Sequence, residues 1–164
     1  MDKLIIKGGS KISGSVNVHG SKNAALPIIV SSLLSEKTLK LSNVPDVVDV
    51  LNLIKLLKNY GVKIEHKKNK LKINPSKIKN LSADYDVVRK MRASILILGP
   101  LLSRFSEARI SLPGGCAIGT RPIDIHLAGL SKLGANFEIQ NGFVVGSVKS
   151  QLIGNKIKLP FPSV

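Results

Sequence analysis

The residues best suited to chemistry lie together in Leu112-Pro113-Gly114-Gly115-Cys116-Ala117-Ile118-Gly119-Thr120-Arg121-Pro122, which holds the chain's one cysteine. Glycines around a thiol let the backbone come close to a ligand. The run leads into a helix predicted from Pro122 to Leu133, where free N–H groups and the helix dipole attract anions. Arg121 adds a full positive charge, and positive surroundings favour thiolate over thiol at Cys116. A free cysteine is more often an inert, buried hydrophobe, but glycine flanks on a polar loop argue against that here. His126 lies ten positions further on. A Cys–His protease pair can be drawn, yet no protease signature surrounds either residue, and a satisfied helix histidine fits better. Asp124, near the helix start, is either a further cap or an acceptor for a ligand.

A second anion-binding candidate is Gly20-Ser21-Lys22-Asn23, a glycine turn entering a helix with a cation in its first turn. Lysine there opposes the dipole, and a bound phosphate or carboxylate would compensate it. An ordinary surface lysine is the competing reading. Arg92, with Arg89 and Lys90, opens another helical stretch and invites the same interpretation.

The elements that must position these residues fall into a repeat. Leu4-Ile5-Ile6-Lys7 and Gly14-Ser15-Val16-Asn17-Val18 read as strands around a Gly8-Gly9 turn. Lys22 to Ser35 reads as a helix, Lys37 to Leu41 as a short strand, and Val47 to Tyr60 as a helix capped by Asp46 and closed by Gly61. Val62, Ile64 and His66 alternate with lysines and Glu65. After a turn at Lys68-Asn69, Leu71 and Ile73 alternate with Lys70 and Lys72. That period of two predicts a hairpin with one buried and one wet face. The same order then recurs: a helix from Tyr85 to Phe105 that Pro100 kinks or breaks, a strand from Glu107 to Leu112, the Pro122 helix closed by Gly134, and a hairpin across Asn141-Gly142. Leu33-Leu34-Ser35 matches Leu101-Leu102-Ser103 at a spacing of 68, and Tyr60-Gly61-Val62 matches Leu133-Gly134-Ala135 at 73. About five extra residues are therefore expected between Leu112 and Pro122. A helix–strand–helix–hairpin unit cannot bury its own sheet face, so the copies should pack on one another. A last strand is expected at Lys156-Ile157-Lys158-Leu159.

Composition narrows the functional classes. The chain has 164 residues, about one domain. Its 43% hydrophobic content excludes a disordered chain. One cysteine excludes an internal disulfide framework, and one cysteine with three scattered histidines disfavours zinc. No apolar run reaches the ~20 residues that span a bilayer, and Met-Asp-Lys-Leu-Ile-Ile-Lys turns polar too early for a signal peptide. A cytoplasmic protein without membrane association is expected. The net charge of +15 comes from 25 cations, of which only five are arginine, and aromatics are 4%. Nucleic-acid surfaces favour arginine and aromatic platforms, which weighs against that partner. Eleven cations fall between Lys55 and Lys90. A solvated lysine face explains them, although a positive field would also favour RNA or phosphorylated metabolites.

Gly20-Ser21-Lys22-Asn23-Ala24-Ala25-Leu26-Pro27, Met91-Arg92-Ala93-Ser94 and the cysteine loop with its Arg121-Pro122-Ile123-Asp124 continuation closely resemble the UDP-N-acetylglucosamine 1-carboxyvinyltransferases, a family of enolpyruvyl transferases. The sister synthase of 5-enolpyruvylshikimate 3-phosphate shares the fold but lacks this cysteine loop. The resemblance implies an α/β fold, an inside-out α/β barrel whose domains each repeat the helix–strand–helix–hairpin unit three times. Residues 1–21 would be the first strands of one domain, and residues 22–164 about two of the three units of another. It also implies transfer of enolpyruvate from phosphoenolpyruvate to the 3-hydroxyl of UDP-N-acetylglucosamine in peptidoglycan synthesis. Cys116 would be the general acid, the site of a covalent phosphoenolpyruvate adduct and the fosfomycin target. Lys22, Asn23 and Arg121 would hold phosphoenolpyruvate. Arg92, Arg121, Pro122, Ile123, Asp124 and Ile125, then Ser163 and Val164, would line the UDP-sugar site. No metal or organic cofactor is implied. An aspartate base and further arginines would lie outside this sequence, on a missing half that a separate chain could supply, so the fragment alone is expected to be inactive. A basic RNA-binding module of related repeat fold is the rival expectation.

Overall fold

The structure, a computed structural model, describes residues 3–79, 81, 92–112 and 123–161, with the Arg92 side chain left aside. Helix α1 spans Lys22–Ser31 and continues as a 3-10 turn, Ser32–Leu34. Strand β1 (Leu39–Leu41), helix α2 (Val48–Asn59) and strands β2 (Lys63–Lys67) and β3 (Lys70–Asn74) complete a first unit. The described part of the second unit begins with a 3-10 stretch, Arg92–Ile97, that passes into α3 (Leu98–Phe105). Strand β4 (Glu107–Ser111), helix α4 (Asp124–Lys132), and strands β5 (Ala135–Gln140) and β6 (Phe143–Val148) follow. Pro100 stands in the first turn of α3, where a missing N–H costs least. The predicted break therefore lies just before it.

Both units fold alike. Their sheets have the orders β1-β3-β2 and β4-β6-β5, antiparallel throughout, so the hairpin's return strand sits between the two strands that a helix connects. The helix ends repeat as well. Gly61 (φ 91°) follows α2, with its N–H on Lys58 O and the Val62 N–H on Leu57 O; Gly134 (φ 102°) follows α4, with its N–H on Ser131 O. These are left-handed caps that only glycine adopts cheaply. Asn141 and Gly142 both have positive φ, as a two-residue hairpin turn with the strand's own twist requires.

Strand pairing corrects the spacing of the repeat. Leu39 pairs with Ile73, and Ala108 pairs with Gly146, at a hairpin spacing of 73. Leu39 and Ala108 are therefore equivalent, 69 positions apart rather than 68. The helices agree: buried Ala25, Leu26, Ile29 and Leu33 fall on buried Ser94, Ile95, Leu98 and Leu102. The Leu-Leu-Ser identity that suggested 68 is thus shifted by one residue. Four residues, not five, are added between β4 and α4.

One continuous core holds the units together, from Ile29, Leu53, Leu57, Leu71 and Ile73 to Leu98, Leu101, Leu102, Ile110 and Val144. The predicted alternation holds in β2 and β3, with Leu71 and Ile73 buried between exposed lysines. Three expectations fail. Residues 3–20 form no strand, and Leu4, Ile5, Ile6, Ile12, Val16 and Val18 are each at least 79% exposed. Lys156 to Leu159 likewise form no strand. An extended segment becomes a strand only with a partner to take its N–H and C=O groups, and no described strand pairs with either segment. Asp46 does not cap α2: the cap residue is Val47, which has no side-chain bond, and the acid in the first turn is Asp49.

Arg104, at the end of α3, ties the units across their seam. Its Nη1 donates to the carbonyls of Leu33 (3.1 Å), Ser35 (3.4 Å) and Pro75 (3.3 Å), and its Nη2 meets Glu36 Oε1 at 3.1 Å. The guanidinium also lies 4.9 Å from the centre of the Phe105 ring, within cation–π range.

Candidate functional site

The entry into α1 is fixed by a close backbone approach. The Gly20 N–H donates to Asn43 Oδ1 at 3.1 Å, and Asn43 itself is left-handed (φ 56°). A Cβ on residue 20 would overlap the Asn43 carbonyl, so only glycine fits. Ser21 then caps the helix, its Oγ accepting from the Ala24 N–H at 3.4 Å. Lys22 and Asn23 follow as the first two helical residues, both exposed.

Lys22 Nζ lies 2.9 Å from Asp49 Oδ2, with the side chains 50% and 36% exposed. Lysine is unfavourable at a helix start and aspartate favourable, so the pair joins two N-termini with each dipole partly compensated. The compensation that sequence reasoning sought in a bound anion is supplied by Asp49. Half of the Lys22 side chain still faces solvent and can receive an anion.

Two helix starts meet at this end. Helices α1 and α2 pack together with their N-termini linked by that ion pair. The 3-10 stretch from Arg92 packs on α1, and the 3-10 turn at the end of α1 packs on α3. The corrected spacing places Arg92 at the position equivalent to Asn23. Adjacent N-termini add positive potential beside Lys22.

Helix α4 supplies the other expected segment. Ile123 is its cap residue, half-buried and without a side-chain cap bond; Asp124 is exposed in the first turn and Ile125 half-buried. A groove of about 170 Å³ runs between α4 and the extended segment Ile157–Pro160, lined by Asp124, Ile125, Ala128, Gly129 and Lys132 on the helix side. Small residues at 128 and 129 open it. The segment is fastened beside α4 by the Ile153 N–H to Leu133 O (2.8 Å) and Asn155 Nδ2 to Lys132 O (2.9 Å). It leads toward Ser163 and Val164, which lie outside the described residues, as do Cys116, Arg121 and Pro122. His126 faces solvent on α4.

Sequence reasoning missed Asp49, Asn43 and the 157–160 wall of the groove. Only Asp49 left a signal, an unassigned acid two residues into a predicted helix. A larger cavity of about 410 Å³ lies elsewhere, among the lysines of the first sheet. No described helix is long and apolar enough to cross a membrane.

A repeated split βαβ unit defines a class, and the comparisons agree on it. Residues 6–164 match the EPSP synthase (3-phosphoshikimate 1-carboxyvinyltransferase) family, and the chain belongs to that family. Two solved structures share the fold: the enolpyruvyl transferase NikO from Streptomyces tendae (TM-score 0.74, 20% identity, 89% of this chain and 32% of that one) and an EPSP synthase from Acinetobacter baumannii (0.68, 20%, 92% and 35%). Within the family the chain is similar to proteins with a narrower name. The UDP-N-acetylglucosamine 1-carboxyvinyltransferase of Campylobacter fetus subsp. fetus is 53% identical over 157 residues, 96% of this chain and 38% of that protein. The protein of the same name from Buchnera aphidicola subsp. Baizongia pistaciae is 51% identical over 164 residues, 100% and 39%. The chain thus spans about two-fifths of the length of these curated relatives.

Proposed function

We propose that the chain supplies the acid-bearing, cation-rich part of an enolpyruvyl transferase that joins phosphoenolpyruvate to the 3-hydroxyl of UDP-N-acetylglucosamine in peptidoglycan synthesis. The observation that carries this reading is 53% identity across 96% of the chain to a protein named for that transfer. Addition requires a proton on the methylene carbon of phosphoenolpyruvate, removal of the sugar hydroxyl proton, and cations for phosphate and carboxylate. Elimination then expels phosphate and returns the methyl proton. In this reading Cys116 is the acid that delivers that proton, and also the residue a covalent adduct or fosfomycin would occupy. Lys22, Asn23 and Arg121 hold phosphoenolpyruvate. Arg92, residues 121–125 and Ser163-Val164 line the sugar-nucleotide site. The groove supports this assignment, because it sets Asp124 and Ile125 beside the segment that runs to Ser163.

The base and further arginines would come from the remaining three-fifths of the family's length, in one polypeptide or a second one. Residues 1–21 would be strands of the domain built there, which fits their exposed apolar side chains. Both substrates are cytoplasmic metabolites, and that is where the reading puts the chain. Titration of UDP-N-acetylglucosamine into the labelled chain, followed by amide chemical shifts, tests it. Shifts are expected at the α4 start and residues 157–161. Saturable shifts confined to the lysine sheet, or none at millimolar ligand, would overturn the assignment. Phosphate release on adding a polypeptide with the relatives' remaining sequence, lost in Cys116→Ser, tests the chemistry.

A further inference from the structure

The outer face of the first sheet is far more charged than the same face of the second. Lys40, Lys63, Lys67, Lys70 and Lys72 project from it, with Glu65 the one acid among them. The equivalent positions of the second sheet hold Arg109, Asn136, Gln140, Phe143 and Val145, with Glu138 in place of Glu65. Both sheets have the same strand order, and the second face is exposed at Arg109, Asn136, Glu138 and Gln140 and half-buried at Phe143 and Val145. Five cations against one acid on one face, and one against one on the other, are not explained by solvation alone.

The arrangement also costs stability. Like charges directly opposite one another on antiparallel strands are destabilising, and the register sets Lys40 against Lys72 and Lys67 against Lys70. One ion pair relieves this, Lys72 Nζ to Glu65 Oε1 at 3.1 Å. Among the described residues Lys40, Lys63, Lys67 and Lys70 have no acidic partner within ion-pair distance. Asn, Gln or Thr would keep the face wet without repulsion, as Asn136 and Gln140 do in the second sheet. Four of the lysines, with Glu65, surround the cavity of about 410 Å³.

We propose that this face docks an extended, acidic segment of a partner protein. Lys70 and Lys72 stand two residues apart on one strand, ~6.8 Å, and alternate side chains of an extended peptide repeat at the same spacing. Carboxylates on every second residue would therefore meet successive ammonium groups, which act as point charges and need no bidentate geometry. The face has no arginine and no aromatic residue, so it lacks the groups that recognise phosphodiesters and stack bases. It lies on the side of the sheet away from the helices, so its occupation is independent of the substrate groove.

The test is fluorescence anisotropy with a labelled alternating Glu-Thr peptide, at about 150 mM salt so that distant charges are screened. A single-stranded RNA of equal charge is measured alongside. The variants are Lys67→Gln with Lys70→Gln, Lys40→Gln with Lys63→Gln, and a control, Lys7→Gln with Lys11→Gln, that removes the same charge elsewhere. Removing a like-charge pair leaves the fold intact, which circular dichroism checks, and the second pair of substitutions serves if the first does not fold. Each face variant is expected to weaken peptide binding at least about tenfold, roughly 1.4 kcal/mol. The control should change it less than about twofold, and RNA should bind the parent more weakly than the peptide does. Absence of peptide binding, equal losses in face and control variants, or tighter RNA binding through the same lysines would each overturn the proposal.

Discussion

Replacing Arg104 by methionine keeps an unbranched apolar stem and removes four polar contacts at the seam between the units. The Arg104 side chain is 15% exposed, and its bonds to Leu33 O and Pro75 O are partly buried. Hydrogen bonds from a charged donor are worth ~1.5–3 kcal/mol each in mutational series. Nη1 carries two protons for three carbonyls, so about one to two such bonds are fully made, and Arg104→Met should cost ~2–4 kcal/mol. Glu36, at 77% exposed, contributes little, and Glu36→Gln should cost ~0–0.5 kcal/mol. Arg104→Lys should fall between, because one ammonium cannot span Leu33, Pro75 and Glu36 at once. Urea unfolding of the chain, followed by far-ultraviolet circular dichroism with the slope checked for constancy, reads all three. Amide exchange should accelerate at residues 33–36 and 75–77 in Arg104→Met and stay unchanged in Glu36→Gln. A cost below about 1 kcal/mol for Arg104→Met, or equal costs for both substitutions, would refute a seam held by backbone contacts.

Other perturbations have equally definite outcomes. Gly20→Ala should cost ~1–3 kcal/mol by driving Asn43 aside, whereas Gly8→Ala, with open space around it, should be close to neutral; urea midpoints decide. The Tyr60 hydroxyl is buried with no hydrogen-bond partner among the described residues, so Tyr60→Phe should stabilise the chain by ~1 kcal/mol at neutral pH. Burial also raises the Tyr60 pKa above its ordinary value, so the folded state keeps a proton that the unfolded chain releases near pH ~10. The stability linked to that proton is complete below this pH and lost as pH rises above it, and Tyr60→Phe should flatten the alkaline decline in melting temperature. Asp49→Asn frees Lys22 of its counter-charge. With both groups well exposed, stability should move by less than ~0.5 kcal/mol, while calorimetric phosphoenolpyruvate affinity should rise ~2–5-fold at low salt. That gain should vanish when Lys22→Gln is added, and a loss of affinity on Asp49→Asn alone would contradict the role given to Lys22.

What was legible in the sequence was local. The period-two hairpins, the glycines at 61 and 134 and the Asn141-Gly142 turn each declare their geometry within a few residues, and together they exposed the repeat. Its spacing is not legible in the sequence, because Leu-Leu-Ser occurs in both units one position out of register, and only strand pairing reveals the shift. Asp46 had the right chemistry for a cap, but the helix begins two residues later and the acid that matters, Asp49, is committed to Lys22. Residues 4–18 and 156–159 have strand-like sequences without strand partners, a non-local condition no pattern encodes. Arg104 acts on Leu33 across 71 positions, and the groove joins α4 to residues 157–160. The helix starts that carry Lys22-Asn23 and Asp124-Ile125 are legible, because the preceding glycine-serine turn and the proline announce them.

The claim at the centre is the proposal that Cys116, five residues before Arg121 in the sequence, works in a positive field that receives a small dianion. It is the chain's one cysteine, so the rate of its alkylation by iodoacetate can be followed by intact mass across pH without ambiguity. The expected profile rises with an inflection below the ~8.5 of an ordinary thiol and is slowed by phosphoenolpyruvate in a saturable way. An inflection at or above that value, with rates indifferent to phosphoenolpyruvate, would contradict it.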